Sequence, residues 1–169
     1  VDINMKFCNV NGLLRDIYNR FYPHIPDSKN IKLNLKLNVH NKEFGFVTDH
    51  RLLGEALAIL VDNAVKYTLQ GNVTIHYEMI KNENVRFIVS DTGIGIPEDE
   101  FEHVFNRFYR LNNNINETTS GSGLGLSIAQ HYVEILGGKL EFESAQHVGT
   151  KFHFTLPFNE GKGFMMLVS

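Results

Sequence analysis

The sequence predicts an α+β protein, a two-layer α/β sandwich in which helices pack on one face of a mixed, largely antiparallel sheet. Segments with the alternating polarity of strands occur in adjacent pairs along the chain, and segments with helical periodicity lie between those pairs. A chain of 169 residues, of which 43% are hydrophobic, is long enough to form one sizeable core. We therefore expect one domain with a single sheet and a single helix layer.

The N-terminal part of the chain predicts a short strand, a helix and a second strand. Residues 2–7 (DINMKF) alternate weakly between polar and apolar side chains. Residues 9–25 repeat apolar side chains at helical spacing until Pro23 interrupts the pattern. Residues 31–39 (IKLNLKLNV) alternate strictly, which is typical of a half-buried strand.

The central part predicts a long helix followed by two strands. Residues 51–68 (RLLGEALAILVDNAVKYT) have helical periodicity, and either Thr48 or Asp49 can cap the start of the helix. We expect Gly71 to end it. The next two strands are predicted on either side of a short turn, over residues 72–80 and 84–91.

The C-terminal part predicts a loop, a mobile segment, a helix and a closing hairpin. Residues 91–97 (DTGIGIP) form a loop by composition, and residues 98–111 predict a short helix or turn. Residues 112–123 (NNNINETTSGSG) contain almost no large apolar side chain, so little burial offsets the entropy of ordering them. The remaining segments predict an amphipathic helix and two paired strands, over residues 124–138, 139–146 and 149–158.

Composition and charge argue against several classes of protein. The net charge of −3 and the lack of any run of Lys or Arg argue against nucleic-acid binding. The single cysteine, Cys8, excludes an internal disulfide framework and fits a reducing compartment. The eight histidines show no metal-ligand spacing. No apolar run approaches the roughly 20 residues that span a bilayer, and no signal peptide is visible, so we expect no direct membrane contact.

Three features of the sequence suggest chemistry rather than structure alone. Asn63, Lys66 and Tyr67 are spaced i, i+3 and i+4, so they share one face of a helix that is otherwise apolar. Residues 91–96 (DTGIGI) and 120–127 (SGSGLGLS) are rich in glycine, which lets a backbone approach a ligand closely. Each feature alone is also compatible with a solvent face or a plain turn. Neither glycine-rich stretch has the spacing of a P-loop or of a dinucleotide fingerprint.

Four segments in order, LVDNAVKYT, DTGIGI, FNRFYR and GSGLGLSI, resemble the N, G1, F and G2 boxes of the ATP-binding catalytic domain of sensor histidine kinases. That family belongs to the GHKL superfamily, with gyrase, heat-shock chaperone ATPases and MutL-type repair proteins. The resemblance covers residues from about 31 to 158. It implies a mobile ATP lid over the Asn-rich loop. Because that loop has almost no apolar anchor, we expect residues 112–122 to be disordered without nucleotide.

The resemblance implies an enzyme that transfers the γ-phosphoryl group of ATP to a histidine. Histidine kinases carry that histidine on a separate two-helix dimerisation domain, and no such segment precedes residue 30. The chain therefore resembles a catalytic domain that is inactive for autophosphorylation on its own. An alternative is a nucleotide-binding pseudo-kinase or regulatory module without phosphotransfer. An ATP-hydrolysing machine is disfavoured, because those relatives carry a glutamate four residues before the Asn of the N box.

At the base end of the pocket, the resemblance implies that Tyr67 lies along the adenine or ribose. Asp91 would accept a hydrogen bond from the adenine 6-amino group, where GTP presents a carbonyl and would leave a buried acceptor unpaired. Gly93 and Gly95 would let the backbone pass close under the base. The further pocket residues implied by the resemblance lie in the two glycine-rich loops and at the start of the last strand: Ile96, Gly121, Gly123, Leu124, Gly125, Leu126 and Thr150.

At the phosphate end, the resemblance implies a catalytic set of Asn63, Lys66, Arg107 and Arg110. Asn63 offers an amide oxygen to Mg²⁺, a hard ion that prefers oxygen ligands and retains waters. Lys66 reaches a phosphate as a point charge. The two arginines would neutralise the phosphoryl group as it transfers. The aromatic residues of the F box are expected to pack the root of the lid against the core or a neighbouring domain: Phe105, Phe108 and Tyr109.

The sequence departs from the family at Ile59, one helical turn before Asn63. Histidine kinases usually carry a second Asn there that helps hold Mg²⁺, and Ile can ligate no metal. Either Ile59 packs in the core while waters complete the Mg²⁺ shell, or its presence weakens metal dependence and slows transfer.

The domain organisation that we expect is a catalytic domain over residues 1–158, with residues 1–30 as a lead-in strand and helix. Residues 159–169 are a linker, the start of a following domain such as a receiver, or an added tail. The implied partners are the protein's own dimerisation and phosphoacceptor domain and a response regulator receiver domain. The resemblance also implies a homodimeric parent protein, a monomeric isolated domain and a cytoplasmic location, and leaves open whether the parent is anchored in the inner membrane.

Overall fold

The computed structural model describes residues 2–81, 83–110 and 125–158. Within these ranges the chain forms three α-helices and seven strands. In chain order they are β1 (Lys6–Asn9), α1 (Val10–Phe21), β2 (Asn30–Lys36), β3 (Gly45–Thr48), α2 (His50–Lys66), β4 (Gln70–Ile80), β5 (Asn84–Asp91), α3 (Gly125–Ile135), β6 (Glu141–Ala145) and β7 (Gly149–Pro157). Short 3₁₀ helices follow α1 and β5, at Tyr22–His24 and Glu98–His103.

The main sheet has five strands in the order β2-β4-β5-β7-β6. Only the β2–β4 pair is parallel, and the other three pairs are antiparallel. Strands β1 and β3 form a separate antiparallel ribbon. The predicted sandwich with a mixed, largely antiparallel sheet is therefore confirmed. The sequence analysis did not predict β3, because its four residues, GFVT, show no alternation and are a strand only through pairing with β1.

The core lies between the sheet and one layer of helices. Helix α2 contacts α1 on one side and α3 on the other, and it also contacts β4 and β5. The apolar residues of β5 and β7 that face the helices are fully or almost fully buried, and Phe87 of β5 stacks on Phe154 of β7 with ring centroids 5.4 Å apart. Within the described ranges, no helix has the length and apolar character needed to cross a membrane.

The start of α2 is fixed by Asp49. Its Oδ1 accepts hydrogen bonds from the backbone N–H groups of Arg51 and Leu52, and its Oδ2 accepts one from the N–H of Asn4. Burial alone would raise the pKa of this carboxyl, but the three N–H donors and the charge of Arg51 outweigh burial and lower it. Of the two predicted caps, Asp49 is the one used. The same side chain ties the N-terminal segment to α2.

The end of α2 differs from the prediction. The helix ends at Lys66, with Tyr67 as its C-cap, and Gly71 lies inside β4. The Lys29 ammonium group donates to the carbonyl oxygens of Val65 and Lys66, at 2.7 and 3.0 Å. These carbonyls have no partner within a helix, so a distant lysine, rather than a local glycine, supplies their hydrogen bonds.

Candidate functional site

The register of the sheet brings three polar side chains into one row. Asp91 of β5 lies opposite Thr150 of β7, and Thr150 lies opposite Ser144 of β6. Asp91 and Thr150 have the same strand parity as the buried residues of β5 and β7, and Ser144 has the parity of the partly buried Phe142, since side chains alternate along a strand. The otherwise apolar inner face of the sheet therefore ends in a polar row beside the helix layer.

Asp91 is held by backbone donors at this end of β5. Its Oδ1 accepts hydrogen bonds from the N–H of Gly93 at 2.8 Å and from the N–H of Thr150 at 3.2 Å. Burial raises the pKa of the carboxyl from 3.8 to about 6, although the two N–H groups act in the opposite direction. The site thus contains a partly desolvated acceptor in a fixed orientation.

The loop after Asp91 lies against the end of α2. The N–H of Ile94 donates to the carbonyl oxygen of Tyr67 at 3.1 Å. A Cβ atom at Gly93 would lie 2.8 Å from Thr68 Oγ1 and 3.0 Å from Asp91 Oδ1, so only glycine fits between them. Gly95 has φ +70 and its Cα faces the carbonyl group of Ala145. Both glycines therefore allow a close approach of this loop to neighbouring backbone.

The polar face of α2 adjoins this loop. Asn63, Lys66 and Tyr67 are all half-buried, and the N–H of Tyr67 donates to the carbonyl oxygen of Asn63 at 3.1 Å. The Lys66 ammonium group forms an ion pair with Asp62 at 2.9 Å, one helical turn earlier. Because the loop after β5 is hydrogen-bonded to Tyr67, the predicted residues of α2 and Asp91 lie around the same end of the sandwich.

The start of α3 contacts α2 at Ile59. A Cβ atom at Gly125 would lie 3.3 Å from Ile59 Cγ2, which is tighter than an ordinary contact. Ile59 and Leu126 are both partly buried against the core. Of the other pocket residues expected from the sequence, Ile96 is only 7% exposed and belongs to the core. Gly121, Gly123 and Leu124, like the expected disorder of residues 112–122, lie outside the described residues.

The aromatic residues of the FNRFYR segment have different environments. Phe105 contacts Phe142 and Phe152 edge-on, and the hydroxyl of Tyr109 donates to Glu100 at 3.0 Å. Both are partly buried, as predicted. Phe108 is 67% exposed with φ +65, so the prediction that it packs against the core is wrong. Its backbone conformation turns the side chain outwards, and packing against a neighbouring domain stays a prediction.

The two arginines of this segment lie at the edge of the described residues. The Arg107 guanidinium lies over the Phe108 ring, 5.9 Å from its centroid. Arg110 is the last residue of its described range. The roles of both arginines in transfer stay predictions.

Two residues of this site were missed by the sequence analysis. Ser144 shares the inward parity of Phe142, so the alternation of β6 contained a signal for its position. Thr68 gave no signal, because it directly follows the helix. In the structure its side chain is fully buried, and its Oγ1 has no hydrogen-bond partner among the described residues.

The chain is similar to proteins of one family. The family model described as histidine kinase-, DNA gyrase B-, and HSP90-like ATPase matches residues 48–160. The chain is 35% identical over 125 residues to the sensor histidine kinase WalK of Bacillus subtilis, and 38% identical over 128 residues to the circadian input-output histidine kinase CikA of Synechococcus elongatus. The alignments cover 73% and 75% of this chain but 20% and 17% of the relatives, so the chain spans about a fifth of their length.

Solved structures share the fold. Full-length ShkA in complex with AMPPNP matches with a TM-score of 0.80 and 27% identity, over 94% of this chain and 32% of that chain. A nucleotide-free catalytic domain of histidine kinase ThkA matches with a TM-score of 0.76 and 29% identity, over 92% and 99%. The mycobacterial sensor histidine kinase MprB matches with a TM-score of 0.75 and 27% identity, over 92% of this chain and 99% of that chain.

Proposed function

Because the chain belongs to the family of histidine kinase-, DNA gyrase B-, and HSP90-like ATPases, we propose that it acts as the catalytic domain of a two-component sensor histidine kinase. In this proposal it binds Mg-ATP and positions the γ-phosphoryl group for attack by a histidine of a separate dimerisation domain. The observation that carries the proposal is the polar row of Asp91 and Thr150, because the loop after Asp91 is hydrogen-bonded to Tyr67, at the end of the helix that also carries Asn63.

The base end of the pocket is built around Asp91. Its Oδ1 is occupied by two backbone N–H groups, so the carboxylate has a fixed orientation and its remaining lone pairs are available to a ligand. An adenine 6-amino group donates to such an acceptor. A guanine carbonyl at the same place would leave the carboxylate without a partner, at a cost of about 1–3 kcal/mol. Tyr67, Gly93 and Gly95 complete this end of the pocket.

The phosphate end is built from the polar face of α2 and the start of α3. Lys66 pairs with Asp62 in the free protein, and a triphosphate would compete with that carboxylate for the ammonium group. The backbone N–H groups at the start of α3 favour an anion. The Asn63 amide oxygen suits Mg²⁺, which would take its other ligands from phosphate and water; Ile59, one turn earlier, supplies none. Arg107 and Arg110 are proposed to neutralise charge during transfer.

The reaction that we propose is an in-line displacement. The bond between the γ-phosphorus and its bridging oxygen breaks as a bond to the histidine nitrogen forms, and ADP leaves with the charge of the bridging oxygen. The bound Mg²⁺ supplies charge neutralisation at the phosphates. The chain itself contributes position, exclusion of water and hydrogen-bond donors rather than a covalent intermediate. The phosphohistidine would then serve a response regulator receiver domain.

Two experiments test the proposal. Calorimetry should detect ATP binding that depends on Mg²⁺, and Asp91→Asn should weaken it by at least about tenfold, with the exposed Asp27→Asn as the matched control. With labelled ATP, acid-labile phosphate should accumulate on an added dimerisation domain and not on this chain alone. Absence of ATP binding would refute the proposal. Binding without any transfer would instead indicate the nucleotide-binding regulatory module.

A further inference from the structure

The hydroxyl group of Ser144, in β6, connects this strand to the loop after β5 and to the start of β7. Its Oγ lies 2.8 Å from the backbone N of Ile96, 3.0 Å from the carbonyl oxygen of Gly149 and 2.8 Å from Thr150 Oγ1. The first group belongs to the loop after β5, and the other two belong to the start of β7. All three distances are those of good hydrogen bonds, and the residue is half-buried.

The number of available protons fixes the direction of these hydrogen bonds. The Ile96 N–H can only donate, so it uses one lone pair of the Ser144 oxygen. The Gly149 carbonyl can only accept, so it takes the single hydroxyl proton of Ser144. The contact with Thr150 then requires the Thr150 hydroxyl to donate to Ser144. The Thr150 proton is therefore engaged, and only lone pairs of its oxygen remain for a ligand.

We propose that Ser144 is a positioning residue that makes the Thr150 hydroxyl an acceptor towards the nucleotide, and that it thereby contributes to selection of 6-amino over 6-oxo purines. This proposal rests on the proposed function, since it requires the base to bind at Asp91 and Thr150. No contact between Ser144 and the nucleotide is needed. The effect passes through the orientation of one hydroxyl proton.

The register explains why the polarity of Thr150 matters. Thr150 lies directly opposite Asp91, and its own N–H already donates to the Asp91 carboxylate. Two acceptors, a carboxylate and a hydroxyl oxygen, are thus adjacent at the end of the sheet. An exocyclic amino group offers two hydrogens to such a pair, whereas a 6-oxo group offers none. Without the hydrogen bond to Ser144, the Thr150 hydroxyl could donate its proton to a 6-oxo group.

The test compares ATP with ITP, in which a carbonyl replaces the 6-amino group. Dissociation constants are measured by calorimetry for the wild-type chain and for Ser144→Ala, at about pH 8, where a carboxyl with a pKa of about 6 is ionised. We expect the preference for ATP over ITP to fall roughly five- to tenfold in Ser144→Ala, the size of one hydrogen bond. Ser90→Ala, on the opposite face of β5, should leave the preference unchanged.

A second variant separates positioning from general damage. In a Thr150→Val background, Ser144→Ala should no longer change the ATP-to-ITP preference, because the hydroxyl through which it acts is gone. Equal weakening of ATP and ITP by Ser144→Ala, or an unchanged preference, would overturn the inference and leave Ser144 as a structural residue. Wild-type chain that binds neither nucleotide would instead refute the proposed function.

Discussion

At the scale of single residues, Asp91 lowers the stability of the free domain. Its pKa is about 6 in the folded state against an ordinary value of 3.8, because burial disfavours the ionised form. The folded state therefore binds the proton more tightly than the unfolded state. As the pH rises from about 4 to about 6, this carboxyl progressively reduces the free energy of unfolding, and above that range the loss is constant.

Asp91→Asn should therefore stabilise the nucleotide-free domain above about pH 6, by on the order of 1–3 kcal/mol, since one pKa unit corresponds to ~1.4 kcal/mol. An amide oxygen can still accept the N–H groups of Gly93 and Thr150. Thermal unfolding across pH measures the effect, and the gain should vanish at about pH 4. The exposed Asp27→Asn is the control. A variant that is less stable than wild type at pH 8 would contradict the assigned pKa shift.

Thr68 presents a second conflict between burial and polarity. Its hydroxyl is fully buried and has no partner among the described residues, which costs about 1–3 kcal/mol for a buried donor. Thr68→Val keeps the shape and removes the hydroxyl, so we expect urea unfolding to show a gain of about 1 kcal/mol. A loss of stability would mean that the hydroxyl is satisfied in solution. A selective loss of ATP affinity would show that the nucleotide uses it.

At the scale of elements, the boundaries that could be predicted from the sequence are those set by local patterns of residues. Strand β5 runs over the predicted residues 84–91, because its alternation and its flanking turns are both local signals. The end of α2 was missed, because its last carbonyls are capped by a lysine more than thirty residues earlier in the chain. Strand β3 was missed for the same kind of reason, since only its partner defines it.

The contact of Lys29 with α2 leads to a prediction for the whole helix. Lys29→Met removes a charged donor from two carbonyl groups in the turn that carries Lys66 and Tyr67. We expect a loss of about 1–2 kcal/mol in the free energy of unfolding and a few-fold weaker ATP binding, because the end of the helix loses its cap. The exposed Lys32→Met on β2 is the matched control. Equal unfolding midpoints for the two variants in urea would contradict this role.

At the scale of the whole molecule, the site depends on register and packing that no single segment encodes. The box motifs predicted candidate site residues, and the structure brings three of the predicted features, Asp91, Thr150 and the end of α2, together through strand pairing and one loop contact. Ser144 joins this row only because β6 pairs with β7 in one particular register. A sequence pattern gives the face of each strand but not which rows align, so the complete row could not be predicted.

Residue 59 lies where α2 packs against α3 and where the related kinases place a metal ligand. Ile59 provides the packing but no ligand. It is partly buried and packs against Gly125, so it holds α2 and α3 together, whereas a polar side chain there would face the phosphate end of the proposed pocket. Ile59→Asn replaces this apolar contact with an amide that can ligate a metal. We expect the free energy of unfolding to fall by about 1–2 kcal/mol and Mg²⁺-dependent ATP binding to tighten several-fold.

The matched control for that change is Ile59→Ala, which removes a similar apolar contact but adds no oxygen ligand. Both variants should lose stability in thermal unfolding, because both loosen the contact between α2 and α3. Only the Asn variant should steepen the dependence of ATP affinity on Mg²⁺ concentration, or speed transfer to an added dimerisation domain. If the two variants show the same Mg²⁺ dependence, residue 59 contributes to packing alone, and water completes the coordination of the metal in this protein.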